Sequence, residues 1–288
     1  MSRRRTRTSA ARAVETLMKF ITGACLFGMM ALTVAILGAI VWRGAGSITP
    51  EFIFAMPKDN MTAGGIWPAI VGTFWLVMGT AAFAVPIGVA AGVYLGEYAK
   101  RGLGTRIIRL SIANMAGVPS IVYGLFGLSV FVMVLKFNQS VLSGSLTLAC
   151  LTLPVIITST EESLRQVPAD LRQASLALGA TRLRTILRVV LPAAAPGIVT
   201  GSILGLSRAA GETAPILVTA AAFSAPLPRT PFDRIMALPY HLYIMATQAV
   251  KPAPNIVWGT ALVLVAGVTA VGVAAAAWRS RQRRKIRW

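Results

Sequence analysis

The chain has 288 residues, of which 56% are hydrophobic and only 13% charged, with a mean hydropathy of +0.70. A soluble domain carries about 25% charged residues, so this composition excludes a water-soluble globular protein and predicts a bilayer. The formal net charge of +19 raises nucleic acid as a partner, but neither aromatic interleaving nor a nucleic-acid-binding motif accompanies the basic residues.

A membrane-crossing helix needs about 20 mainly apolar residues, and charge-free runs locate six. They are Phe20 to Trp42, then 66–94 within the uncharged run 60–96, then Leu110 to Leu135 and Phe137 to Thr160. The fifth starts near Val189 and runs at least to Ser207, with an extension through Arg208 and Glu212 left open, and the sixth is Asn255 to Trp278. Residues 43–63, with Pro50 and Pro57, read as an outer loop separating the first span from the other five. The predicted divisions are 1–65 (basic tail, anchor helix and outer loop), 66–278 (a five-helix transport unit) and 279–288 (a basic tail). The unit carries two loops, a polar island at 161–188 and a proline-rich outer loop at 223–254 with a short helix around Ile235 to Ala249.

Basic residues decide the orientation. With the N-terminus inside, the inner segments hold 21 Lys and Arg and the outer ones seven, an asymmetry that puts both termini in the cytoplasm. The tails around Arg3-Arg4-Arg5 and Arg279 to Arg287 are then expected against anionic lipid headgroups. The first apolar run exceeds the 7–15 residues of a cleavable signal, so it predicts an uncleaved anchor. Cys25 and Cys150, both within apolar runs, read as small buried packing residues, and no metal site is implied.

The polar island carries eight charges between two apolar spans. Pro168 marks a helix start, and Leu171, Ala174 and Leu178 fall on one face. Gly179 is the residue able to end that helix at positive φ, and Thr181 is the N-cap expected for a second helix. Leu183, Ile186 and Leu187 lead into the fifth span. The prediction is a knob of helix, glycine turn and helix. Small residues at 174, 175 and 177 permit close approach of a partner.

Gln173-Ala174-Ser175, three residues, Gly179, nine residues and then Val189-Val190-Leu191-Pro192 resembles the EAA loop of bacterial ABC importer permeases. The glycine, the Leu-Pro pair and both intervals match, while Gln173 and Ser175 depart from the pattern. The resemblance implies that Gln173, Ala174, Ser175, Gly179, Leu191 and Pro192 belong to a coupling helix that inserts into a groove of a separate ATPase. Gln173 in place of the usual Glu removes one charged contact. None of the six lysines follows a glycine, so a G-x-x-x-x-G-K-[ST] phosphate loop is excluded. The chain is therefore expected to be a transport subunit and not an enzyme, with ATP and Mg on the partner and no cofactor of its own. His241 in the outer loop is expected in a surface or packing role.

Two further blocks, Gly117-Val118-Pro119-Ser120-Ile121-Val122-Tyr123-Gly124 and Arg208-Ala209-Ala210-Gly211-Glu212-Thr213-Ala214-Pro215, resemble the phosphate-specific permeases of the Pst system. Met236 to Thr247 is similar to the outer loop of the PstA branch of those permeases. The resemblance implies an all-α polytopic chain with the type I ABC importer (MetI-like) fold. It also implies a related permease, PstC, as partner, two copies of the ATPase PstB, and a periplasmic phosphate-binding protein, PstS. Rival readings are a permease for another oxyanion, molybdate or sulfate, and a secondary transporter working without ATP. Pro119 is expected to kink or break the third span, because it cannot donate to the carbonyl of Met115. Ser120 and Tyr123 bring hydroxyls to that turn, either to contact phosphate or to satisfy the kink. Arg208 and Glu212, four apart, would share a helix face and pair. With Thr213 they read either as part of a substrate pathway or as a structural pair at the outer rim.

Overall fold

The computed structural model describes residues 9–100, 102–248 and 253–285. The Arg3-Arg4-Arg5 tail, Lys251 and Arg287 lie outside the described residues.

Helix α1, Ser9–Gly44, is apolar on every side, and none of its most apolar stretch is buried. Cys25 is accordingly exposed on it, not packed as expected from sequence. The helix touches the bundle at its C-terminal end, where Gly44 lies against the backbone of Trp258 and Arg43 sits 4.9 Å over the indole ring. Thr49 then caps the short α2, Pro50–Phe54, by accepting from Phe52 N at 3.1 Å. A small hairpin follows, pairing Pro57–Lys58 with Ala63–Gly64. Phe52 and Met61 pack with Ile66, Met236, Leu238 and Ile256, so this loop shares a core with the rest of the chain.

The bundle is built on α3, Trp67–Val93, and α6, Val141–Arg165. In the most apolar stretch of α6, 61% of residues are buried, which makes it the central helix. Glycines let its neighbours approach: a methyl group at Gly88 or Gly92 would lie 2.6 Å from Ile156 or Thr160. On the other side Gly197 and Gly201 of α9, Leu191–Gly211, meet Ser163 and Ser159. Without a hydrophobic drive between helices in lipid, close small-residue packing is what holds such seams. The hydroxyls of Thr147, Thr152, Thr158 and Ser163 donate to carbonyls four residues back at 2.7–2.9 Å, leaving no unpaired donor in the seam from these side chains.

Charge-free runs misplaced the end of the fourth span. The helix continues past Thr160 to Arg165, because Glu161 is held by Arg109 at 2.7 Å and by Arg165 at 2.6 Å. The third span departs further from expectation: Leu110 to Leu135 is not one helix. Helix α4, Leu103–Ala116, and the segment Ser120–Val134, beginning with α5, Ser120–Gly127, meet at 100° across Gly117 to Pro119. Among the described residues, five helices are long and apolar enough to cross a membrane, or six if this bent pair is one span.

After α9 come α10, Ala214–Thr219, a loop, α11, Leu238–Thr247, and α12, Pro254–Lys285. The loop covers the start of α6, whose first N–H groups have no partner within the helix. Thr219 O, Asp233 O and Pro231 O accept from Ser140, Val141 and Leu142 at 2.8–3.0 Å. Asp233 folds the loop by accepting from Arg229 N and Thr230 N at 2.8 Å, and these bonds lower its pKa below the ordinary carboxylate range. His241 on α11 is buried, with Nδ1 3.3 Å from the Thr260 hydroxyl, and burial lowers its pKa to about 4.

Candidate functional site

The predicted knob forms as two short helices, α7, Ala169–Ala177, and α8, Arg182–Thr185. Gly179 has φ +82, the left-handed conformation glycine adopts freely. Its N–H bonds Leu176 O at 3.0 Å and Ala180 N bonds Ser175 O at 3.2 Å, so the orphan carbonyls of α7 are satisfied across the turn. Thr181 caps α8 by accepting from Arg184 N. The Ser175 hydroxyl lies 2.9 Å from that of Thr185, tying the two helices together; sequence spacing offered no sign of Thr185 as a partner. Gln173 and Ala174 are exposed, whereas Leu191 is half-buried and Pro192 opens α9.

One expectation about the knob is corrected. Leu171, Ala174 and Leu178 do not share one packed face. Leu171 packs beside Leu164, Val167 and Val190, while Leu178 has left the helix (ψ 8) and is 89% exposed.

Halfway across the bundle the chain breaks twice. At the first break Pro119 cannot give the Met115 carbonyl its helical donor, and the Val118 N–H at 3.2 Å and the Tyr123 hydroxyl at 2.8 Å donate to it instead. Tyr123 is buried, and Ser120 is the half-buried first residue of α5. The second break was not read from the sequence, although Gly211 followed by Pro215 is a stop and a start signal. Helix α9 ends at Gly211, Glu212 is extended (φ −73, ψ 129), and Thr213 precedes α10. The two breaks adjoin, because Gly124 of α5 faces the backbone of Ala214 and Pro215.

Arg208 and Glu212 therefore pair across a helix end, not along a helix face, with Nε 3.4 Å from Oε1. Depth follows from packing. Gly205 faces Val155 and Ile156 of the antiparallel α6, so at 1.5 Å per residue Arg208 lies about 17 Å from the start of a helix about 37 Å long. The pair sits near mid-depth, not at a rim, and the Arg208 side chain is 57% exposed against 16% for Glu212. Among the described residues no cluster of three or more His, Cys, Asp or Glu could hold a metal ion.

The architecture is shared with solved importers. A chain of the structure titled "Inward facing conformations of the MetNI methionine ABC transporter: CY5 native crystal form" aligns at a TM-score of 0.60, 18% identity, and coverage of 75% of this chain and 96% of that one. Among sequence relatives, the "Probable ABC transporter permease protein YqgI" of Bacillus subtilis is 34% identical over 266 residues, covering 88% of this chain and 90% of its own. The "Phosphate transport system permease protein PstA 1" of Mycobacterium tuberculosis is 41% identical over 226 residues, covering 77% and 73%. Residues 84–288 match the family described as binding-protein-dependent transport system inner membrane component. With its apolar crossing helices, broken spans and glycine-turned knob, the chain belongs to that family: it is a multi-pass membrane permease, a transport subunit that works with ATPase and substrate-binding partners.

Proposed function

We propose that the chain is a permease of the PstA type, one half of the translocation pathway of an ATP-driven importer of inorganic phosphate. The observation that carries the reading is Arg208, a mid-depth arginine with 57% of its side chain exposed in the single chain. A charge facing lipid at the bilayer centre costs about 2.5–3.5 kcal/mol on insertion scales. That face is therefore internal in the working assembly, against the second permease and a polar path. Its planar fork of donors suits a tetrahedral oxyanion. Glu212 holds the fork and competes for it, so that the anion passes without being trapped. Ser120 and Thr213, at the two adjoining breaks, line the same path, with backbone that membranes tolerate only along water or inside protein. Tyr123 holds the first break open through Met115.

In this reading the second permease is PstC, the knob docks on one of two PstB ATPases that carry ATP and Mg, and PstS delivers phosphate to the opposite face. Both termini and the knob are cytoplasmic, as the basic residues indicate. Phosphate specificity rests on relatives named as phosphate transport permeases. The test is uptake in proteoliposomes holding the whole transporter with ATP on the knob side. Labelled phosphate enters and excess molybdate or sulfate does not compete; uptake of either rival anion at the phosphate rate would overturn the assignment.

A further inference from the structure

Helix α3 closes in a π turn, Tyr94–Tyr98, and three arginines from three other elements converge on it. Arg109 of α4 donates to Leu95 O at 3.0 Å. Arg182 of α8 donates to Glu97 O and lays its guanidinium 5.0 Å over the Tyr98 ring. Arg172 of α7 turns Nη2 and Nε to the Glu97 carboxylate at 2.7 and 3.3 Å. Leu95 O and Glu97 O belong to the last turn of α3, whose carbonyls have no donor within the helix and whose dipole favours cations. Glu97 and Arg172 are largely buried, with side chains 10% and 25% exposed. The guanidinium of Arg172 turns two further donors to Val167 O and Leu164 O, both at 2.7 Å. Arg172 thus joins the knob, the end of α6 and the end of α3 through one planar group. A fork bonded on both sides holds direction as well as distance.

We propose that Glu97 is the positioning residue that locks the knob to α3, so that displacement of α7 and α8 moves the knob ends of α3 and α6 with it. The inference rests on the coupling role given to the knob above. Glu97 touches neither substrate nor, in this arrangement, the ATPase; it acts through Arg172 and Arg182. Loss of its charge leaves the knob folded, because Gly179, Thr181 and the Ser175–Thr185 bond are untouched, but lets it move without α3.

The experiment uses the complete transporter in proteoliposomes, with labelled inorganic phosphate, and reads phosphate imported per ATP hydrolysed alongside ATPase co-purification. Glu97→Gln keeps the ATPase bound and lowers phosphate per ATP at least about tenfold, the lower end of the scale of one charged hydrogen bond. The double variant Glu97→Gln/Arg172→Gln is no worse than the lower single variant, because the two residues act as a unit. Unchanged phosphate per ATP in Glu97→Gln, or losses that multiply in the double variant, overturn the lock. Should Glu97→Gln fail to accumulate, Arg172→Lys retains the charge without the fork, and parental coupling in it overturns the proposal equally. Leu178→Asp, at the exposed tip of the knob, separates the two layers of inference. It releases the ATPase if the knob docks there, and parental association and uptake would remove the coupling reading and the lock with it.

Discussion

Replacing Arg208 by Lys preserves the charge and removes the fork. In the single chain Arg208 meets Glu212 at 3.4 Å, and lysine keeps a positive charge opposite that carboxylate, so assembly is expected to be unchanged. Against an oxyanion the lost hydrogen bond is charge-assisted, worth about 1.5–3 kcal/mol, which corresponds to roughly a 10- to 150-fold fall in occupancy of the transit state. Glu212→Gln leaves the fork in place without its competitor, so phosphate binds more tightly and leaves more slowly. The assay is initial-rate uptake of labelled phosphate over a range of concentrations in proteoliposomes, normalised to assembled transporter. Arg208→Lys should lower the rate at limiting phosphate at least tenfold, and Glu212→Gln should lower the maximal rate while reducing the half-saturating concentration. Parental uptake in both variants would refute the pathway role and leave a purely structural pair.

Gly179→Val should abolish uptake with normal membrane levels, because no atom lies within 4 Å of an added Cβ and the positive φ alone is strained, at about 1–2 kcal/mol or more; full uptake in Gly179→Val removes the turn from the mechanism. In a cysteine-free background, cysteines at 58 and 229 should react with an impermeant reagent from outside and one at 184 should not, and outside labelling at 184 inverts the topology. Neutral His241 is favoured by folding, since its pKa is lowered to about 4 from 6.5. Its stabilisation is complete above pH 6.5 and is lost as pH falls toward 4, by about 2 kcal/mol at pH 5; melting curves of His241→Gln should lack that slope, and an identical slope would assign it elsewhere. Asp233, whose pKa is lowered from 3.8, contributes in a separate window, with stability present above that value and lost only under stronger acid.

The knob was legible because its determinants are local: a proline start, a glycine that must take φ > 0, and a hydroxyl cap, all within 14 residues from Pro168 to Thr181. The first break was legible for the same reason, since Pro119 removes a bond from a known carbonyl. Helix ends were not. A rule that stops at charge halts at Glu161, yet the helix runs on because Arg109, 52 positions earlier, neutralises that carboxylate. Glu97 escaped attention because its partners stand 75 and 85 residues away, and no spacing rule reaches that far. At Glu212 the i,i+4 spacing gave the right partner on the wrong backbone. The Gly211 and Pro215 signals were present but hidden inside an apolar run.

The two seams of α6 differ in kind. Toward α3 it is riveted at both ends: by the Ser145 hydroxyl on Leu76 O and the Thr80 hydroxyl on Ser145 O at one, and by Arg172 bridging Leu164 O and Glu97 at the other. Toward α9, among the described residues, no side-chain hydrogen bond crosses; glycines pack on serines whose hydroxyls are bonded to their own helix. The bundle therefore has a strut, α3 with α6, and beside it a seam held by packing alone. Shear along that seam would break no side-chain hydrogen bond between described residues and would leave the strut intact, carrying the end of α9, and with it Arg208, past the middle of α6.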